Sequence, residues 1–131
     1  MPLVIHTLHA APSPDLLNEE WIVVENTGPG PLSSAGWSLE VGKKGQRPHA
    51  LGTLQPGFLL QPGERMRLIT GTASKKAQGA PPVEEGMKNY HLFLREHVLK
   101  APGLVLSFKL KQHLVASATF DPNAASGIAA A

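Results

Sequence analysis

The sequence contains no cysteine, which excludes disulfide bonds, thiol catalysis and thiolate zinc sites. Charged residues are also few: Lys and Arg number 12 against 10 for Asp and Glu, so the pI of 9.1 reflects a small number of charges and not a strongly basic surface. Dedicated nucleic-acid-binding proteins usually concentrate far more positive charge on one face. No apolar run approaches the ~20 residues that a membrane-spanning helix needs, so we expect no membrane insertion.

The first residues of the sequence do not resemble a secretory leader. Residues Met1 to His9 contain no basic segment, and their apolar run is too short for a signal peptide. We therefore expect a cytoplasmic or otherwise intracellular protein if Met1 is the natural start. If the chain is a domain excised from a longer protein, the expected location is extracellular.

Glycine and proline are abundant, with 13 and 12 residues in a chain of 131. Apolar residues make up 42% of the chain, which is enough for the core of one domain. Frequent Gly and Pro disfavour long helices. The composition therefore predicts short strands joined by many turns.

Apolar and polar residues alternate in several short segments, as in strands with one buried face. Each of the two tryptophans lies in such a segment, and a hairpin is predicted to turn through Lys111 and Gln112. The predicted strands are residues 3–8, 19–26, 37–41, 64–70, 90–94, 104–108 and 114–120, with a very short strand at 58–60. About seven to eight antiparallel strands with closely spaced turns predict an all-β fold, an immunoglobulin-like β-sandwich.

The inward-facing positions of these strands define a predicted structural core. Arg65 and Arg67 alternate with two core positions and are therefore expected to face solvent. For Trp21 we favour a buried ring, and the alternative is an open face on which Trp21 and Val23 form an apolar patch. The predicted core residues are Ile22, Val24, Trp37, Leu39, Met66, Leu68, Leu104 and Leu106.

The β-sandwich domain is predicted to span residues 1–121. Within it, residues 71–88 are small, polar and interrupted by a Pro-Pro pair, which predicts a flexible insertion loop. Residues 122–131 are nearly all Ala, Ser and Gly, which predicts a disordered Ala-rich tail.

Several segments in order resemble the lamin tail domain, the immunoglobulin-like module of nuclear lamins and of many bacterial proteins. Glu20-Trp21-Ile22-Val23-Val24-Glu25-Asn26 is similar to its acidic–aromatic–aliphatic strand, and Gly36-Trp37-Ser38-Leu39 to its Gly-Trp strand. Phe58 to Glu64 resembles its Pro-Gly-Glu element, and Ala101 to Leu106 with Leu114 to Phe120 resembles its final hairpin. The resemblance implies an immunoglobulin-like fold and a docking or accessory role without chemistry of its own.

No catalytic or metal-binding group is apparent in the sequence. His6 and His9 would project to opposite faces of a strand, and so would Glu20 and Glu25, so neither pair can converge on one site. A nucleophile elbow and a Gly-rich phosphate loop are also missing. We therefore expect a protein that is not an enzyme and has no metal or cofactor.

The expected function is that of a protein-interaction or scaffolding module, whose protein partner the sequence does not identify. Binding would use loops or an unpaired sheet edge. One alternative is weak binding of nucleic acid or another polyanion through basic loops, and a second is a carbohydrate-binding accessory module with an exposed Trp21 or Tyr90 ring. The candidate polyanion contacts are Lys43, Lys44, Arg47, Lys75 and Lys76.

Overall fold

A computed structural model of the chain describes residues 3–54, 57–72 and 74–130. Within these ranges the chain forms ten β-strands and two short 3₁₀ helices, at Leu17–Glu19 and Lys76–Gln78, and no α-helix. The all-β prediction is confirmed, with more strands than the sequence indicated. The strands are β1 (Leu3–His9), β2 (Trp21–Asn26), β3 (Leu32–Ser33), β4 (Ser38–Lys43), β5 (His49–Thr53), β6 (Leu59–Leu60), β7 (Arg65–Ile69), β8 (Met87–His91), β9 (Leu104–Leu110) and β10 (His113–Thr119).

The strands form two four-stranded sheets, ordered β1-β2-β7-β8 and β10-β9-β4-β5, and a small ribbon of β3 and β6. Among the described strands every pairing is antiparallel except that of β7 with β8, which is parallel. Parallel neighbours need a long crossover connection, which residues 70–86 supply here. The expectation of antiparallel strands alone is therefore wrong at this pair.

Side chains from both four-stranded sheets meet in one apolar cluster. Among the predicted core residues, Leu104 differs from expectation because it is only partly buried. It is the first residue of β9 and lies opposite Lys43 at the end of the sheet, where less chain covers it. The other predicted core residues are at most 5% exposed and belong to the cluster: Ile22, Val24, Trp37, Leu39, Met66, Leu68 and Leu106.

Arg67 is buried, at 4% exposure, and the expectation that it faces solvent is wrong. Its guanidinium donates hydrogen bonds to the Pro82 carbonyl oxygen at 3.0 Å and to Asn89 Oδ1 at 3.3 Å, and it pairs with Glu84 at 3.1 Å. It also lies 5.2 Å from the centroid of the Trp21 ring. The crossover between β7 and β8 therefore covers the outer face of the first sheet at Arg67.

The segment 71–88, predicted as a flexible loop, contains the second 3₁₀ helix and the start of β8. The buried side-chain amide of Asn18 donates hydrogen bonds to the carbonyl oxygens of Thr72 and Gly79, at 3.0 and 3.1 Å. These bonds tie the segment to the first 3₁₀ helix. Residue 73 lies outside the described ranges.

The C-terminal residues 122–130 also differ from the predicted disordered tail, because they fold back onto the sheets. The Leu8 N–H donates to the Ser126 carbonyl oxygen at 2.8 Å, and Ile128 forms an isolated bridge with Phe120. Ile128 also packs against the apolar cluster. Residue 131 lies outside the described ranges.

The predicted hairpin through Lys111 and Gln112 is confirmed. Leu110 of β9 pairs with His113 of β10, so the loop has two residues. Both loop residues have positive φ, 49° for Lys111 and 70° for Gln112. That combination is typical of a type I′ turn, whose twist matches that of the flanking strands.

Candidate functional site

The two lateral sides of the sheets differ in how many backbone hydrogen-bonding groups of their edge strands are unpaired. On one side β1 and β10 lie next to each other, and the C-terminal segment is hydrogen-bonded to both strands. On the other side β5 and β8 are the edge strands. Within the described residues, β5 makes backbone hydrogen bonds to β4 alone. The outer side of β5 is therefore an open sheet edge, to which a further strand can be added.

A cavity of about 610 Å³ lies between the start of β5 and the segment that follows β8. We call it the β5 cleft. Val98 in its floor is buried, whereas the remaining floor residues are partly exposed and contact solvent in the cavity. A concave apolar surface of this size is typical of sites that bind ligands or peptides. The apolar floor consists of Val41, Leu51, Leu94, Val98, Ala101 and Leu104.

The rim of the β5 cleft is mostly basic. Its single carboxylate in the described chain, Glu96, accepts a hydrogen bond from Lys100 Nζ at 3.1 Å. This bond and the Lys100 charge lower the pKa of Glu96, with smaller contributions from the charges of His97 and His49. The other cationic rim residues, Lys43 and Arg95, are exposed and have no ion-pair partner in the part of the chain that the structure describes.

The β5 cleft continues along the length of β5. A small cavity lined by Leu51 and Leu94 follows it, and a third of about 310 Å³ is lined by Thr53 and Phe93. Phe93 is 64% exposed and has a φ of 57°, unusual for a bulky residue. The middle cavity shares Leu51 and Leu94 with the β5 cleft and Thr53 with the third cavity, so the three follow one another between β5 and the chain that leaves β8, and we call this series the groove.

Glu20 holds one wall of the β5 cleft in place. The carboxylate is 1% exposed, and its Oε1 accepts hydrogen bonds from Thr70 Oγ1 and from the Val98 N–H, both at 2.7 Å. Its Oε2 accepts a bond from the Leu99 N–H at 3.0 Å. One side chain immediately before β2 thus anchors the segment that contributes Val98 to the cleft floor. The sequence did not indicate this role, although alternation places Glu20 on the same face as Ile22.

The structure brings only one of the predicted polyanion contacts into the β5 cleft. Lys43 lines the rim, whereas the exposed Lys44 and Arg47 lie in the turn between β4 and β5. The exposed Lys75 and Lys76 lie at the second 3₁₀ helix, which packs against the first 3₁₀ helix. The loop with Lys75 and Lys76 follows the end of β7, and β8 ends on the same side because it is parallel to β7. The chain after β8 then reaches the β5 cleft, beside the turn with Lys44 and Arg47. Both basic loops therefore lie at the same end of the sheets.

Neither aromatic ring considered for carbohydrate binding is a free platform. The partly buried Trp21 ring stacks on His9, with centroids 3.9 Å apart and planes inclined by 3°, and Arg67 also contacts it. The partly buried Tyr90 ring packs with its edge against Phe58, at a centroid distance of 5.3 Å. Protein side chains therefore already occupy positions where a sugar would stack.

The described residues contain no cluster of three or more His, Cys, Asp or Glu side chains placed to hold a metal ion. The same residues include no helix that is long and apolar enough to cross a membrane. The β5 cleft is a concave site that offers recognition by shape, apolar contact and positive charge.

Comparison with the models of known protein families finds no match to this chain. Comparison with curated protein sequences finds no significant match either.

Proposed function

We propose that this chain is a non-enzymatic protein-interaction module, an immunoglobulin-like sandwich of the lamin tail type. Two four-stranded sheets that share one apolar cluster support the fold assignment. The resemblance to lamin tail domains is supported by the order of β2, which begins at Trp21, and β4, which follows Trp37, and by the closing β9–β10 hairpin.

One observation carries the functional proposal: the open edge of β5 lies directly beside an apolar cleft. An extended segment of a partner adds to β5 through backbone hydrogen bonds, while its side chains enter the cleft. The opposite lateral side is covered by the chain's own C-terminal segment, so β5 is the accessible side. Burial of the partner's side chains on the cleft floor supplies affinity, and the shape of the cleft supplies selectivity.

A filling substitution tests this proposal with little risk to the fold. His49 is exposed, lines the β5 cleft and pairs with the floor residue Val41, so its side chain lies on the cleft face and His49→Trp occupies the cavity from the solvent side. Ala77 is equally exposed on the second 3₁₀ helix, outside the cleft, so Ala77→Trp is the matched control. The immobilised wild type and both variants are used to capture proteins from lysate of the source cells at moderate salt.

The proposal predicts a protein that is retained by the wild type and by Ala77→Trp and is lost with His49→Trp. Retention of every protein by all three baits would overturn the assignment of the site to β5. Recovery of nucleic acid alone, lost when salt is raised, would support the polyanion alternative instead.

A further inference from the structure

The cationic side chains around the β5 cleft are not neutralised by the protein itself. Lys43 and Arg95 are exposed on the rim, and no carboxylate of the described chain pairs with either. The one acid on the rim, Glu96, is already bonded to Lys100. A ligand that brings carboxylates to this rim therefore gains charge complementarity that the free protein lacks.

The floor of the β5 cleft selects for aliphatic side chains. Val41, Leu51 and Leu104 are partly exposed there and lose contact with water when an apolar side chain covers them. The rings that line this cavity are the imidazoles of His49 and His97, and the floor itself carries only aliphatic side chains, so a nucleobase that enters it has no ring on which to stack. The chemistry of the floor thus favours an aliphatic peptide over a nucleic acid.

The length and position of β5 define how such a peptide lies. The strand His49–Thr53 is about 17 Å long at the usual rise per residue, so a partner segment of about five to seven residues covers it. His49, at its start, lines the basic rim, and Thr53, at its end, lines the cavity at Phe93. The aliphatic side chains then lie along the groove, and the carboxylates lie at the end next to His49.

We infer that the partner of this chain is an extended acidic peptide segment, with aliphatic side chains at alternate positions and carboxylates clustered at one end, bound along β5 with those carboxylates at Lys43 and Arg95. The inference rests on the proposed function and adds the chemistry of the ligand. Bound in this way, the peptide continues the second sheet beyond β5, and its alternation matches the pleat of an added strand.

The experiment uses the full chain and synthetic peptides of about seven residues, capped at both ends and labelled for fluorescence anisotropy. One set alternates valine and leucine with polar residues and carries Asp and Glu at either terminus. Matched sets replace the carboxylates by Asn and Gln or by lysine, or replace the aliphatic residues by alanine. A labelled single-stranded RNA is the nucleic-acid probe.

Two double variants separate the rim from the general positive charge of this end of the molecule. Lys43→Glu with Arg95→Glu reverses the unpaired rim cations, and Lys75→Glu with Lys76→Glu makes the same change in net charge outside the β5 cleft. All four residues are exposed, and matching thermal unfolding curves establish that the fold is retained.

The inference predicts that the rim variant weakens binding of the acidic aliphatic peptide by about tenfold or more, and that the Lys75 and Lys76 variant changes it by less than about twofold. It also predicts that the rim variant prefers the lysine peptide. Equal weakening by both variants, or RNA binding with the same pattern, would overturn the inference in favour of a general attraction to this basic end.

Failure of the inference can be told apart from failure of the proposed function. If the amide peptide binds as tightly as the acidic one and His49→Trp abolishes both, acidic selectivity is wrong and the β5 site stands. If His49→Trp leaves all peptide binding unchanged, the proposed site and the inference fail together.

Discussion

Glu20 is the residue whose replacement tests the architecture of the β5 cleft most sharply. Its buried carboxylate accepts hydrogen bonds from the backbone of Val98 and Leu99 and from the Thr70 hydroxyl. In Glu20→Ala the hydroxyl can turn to another acceptor, whereas the two backbone N–H groups stay buried without one. Each such group costs about 1–3 kcal/mol, so we expect a loss of roughly 3–5 kcal/mol in the free energy of unfolding.

Glu20→Gln gives a smaller loss by the same reasoning. One oxygen of the amide still accepts bonds, but its NH₂ group faces at least one backbone N–H in either orientation, because Val98 and Leu99 donate to different oxygens. We expect this variant to lose roughly 2–3 kcal/mol. Glu85→Ala removes an exposed carboxylate and is the control, with an expected change below about 0.5 kcal/mol.

The assay is equilibrium unfolding in urea. With a slope of roughly 1.5 kcal/mol/M, the midpoint of Glu20→Ala falls by roughly 2–3 M relative to the wild type. If this variant is unfolded in buffer, Glu20→Gln supplies the reading, and amide exchange at Val98 and Leu99 shows whether the loss is local. A midpoint for Glu20→Ala within about 0.5 M of the wild type would refute the anchoring role.

Three further predictions concern other parts of the molecule. Lys111→Asn with Gln112→Gly places residues that adopt positive φ easily at the two turn positions, and urea unfolding should show a gain in stability of about 1 kcal/mol. The control Gln46→Gly, at a residue without positive φ, should bring no gain. Arg67→Met removes the charged hydrogen bonds to Pro82 and Asn89, although the Pro82 carbonyl oxygen keeps the bond from Asn89 Nδ2, and should cost about 1.5–3 kcal/mol and speed proteolysis of the crossover. The control Arg65→Met loses an exposed pair with Glu25 and should cost less than about 1 kcal/mol. Lys100→Gln should raise the pKa of Glu96 toward its ordinary value in an NMR titration, since Lys100 lowers it. The pKa of Glu96 is lower in the folded than in the unfolded chain. The pair with Lys100 therefore stabilises the fold at pH values above the unfolded pKa, and this stabilisation is lost as the pH falls through the folded pKa. An unchanged pKa of Glu96 in Lys100→Gln would contradict the assignment.

Alternation of apolar residues predicts the centre of the fold because the pleat of a strand imposes it directly. Ile22 and Val24 in β2, and Met66 and Leu68 in β7, face the shared cluster for this reason. The same pattern does not predict the burial of Arg67, because that burial depends on Pro82 and Glu84, which contact it only through the crossover. A polar residue in an alternating strand is indistinguishable from a solvent-facing one until its cover is known.

The candidate site could not be predicted from the sequence, because its parts carry little local signal. His49–Thr53 contains a glycine and no clear alternation, yet it is the edge strand β5. Arg95 and His97 lie in a segment without periodicity, and the position of that segment depends on Glu20. One signal was present: Glu20, immediately before β2, and Asn26, at its end, continue the alternation of the buried Ile22 and Val24, and polar groups on such a face are expected to hold backbone partners.

The C-terminal segment shows a similar limit of composition. Small residues such as those of 122–130 make few side-chain contacts, which is why their sequence predicts disorder. Here backbone hydrogen bonds to β1 and β10, together with Ile128, hold the segment in place. Its position covers one lateral side of the sheets and leaves the opposite side, at β5, as the accessible edge.

The central claim is that a partner segment adds to β5, and amide hydrogen exchange with and without the acidic aliphatic peptide tests it most directly. The account predicts slower exchange at backbone amides of His49–Thr53 and in the segment around Val98, with little change at Lys75 and Lys76. Protection confined to the basic loops, or to β1 and β10, would contradict strand addition at this edge.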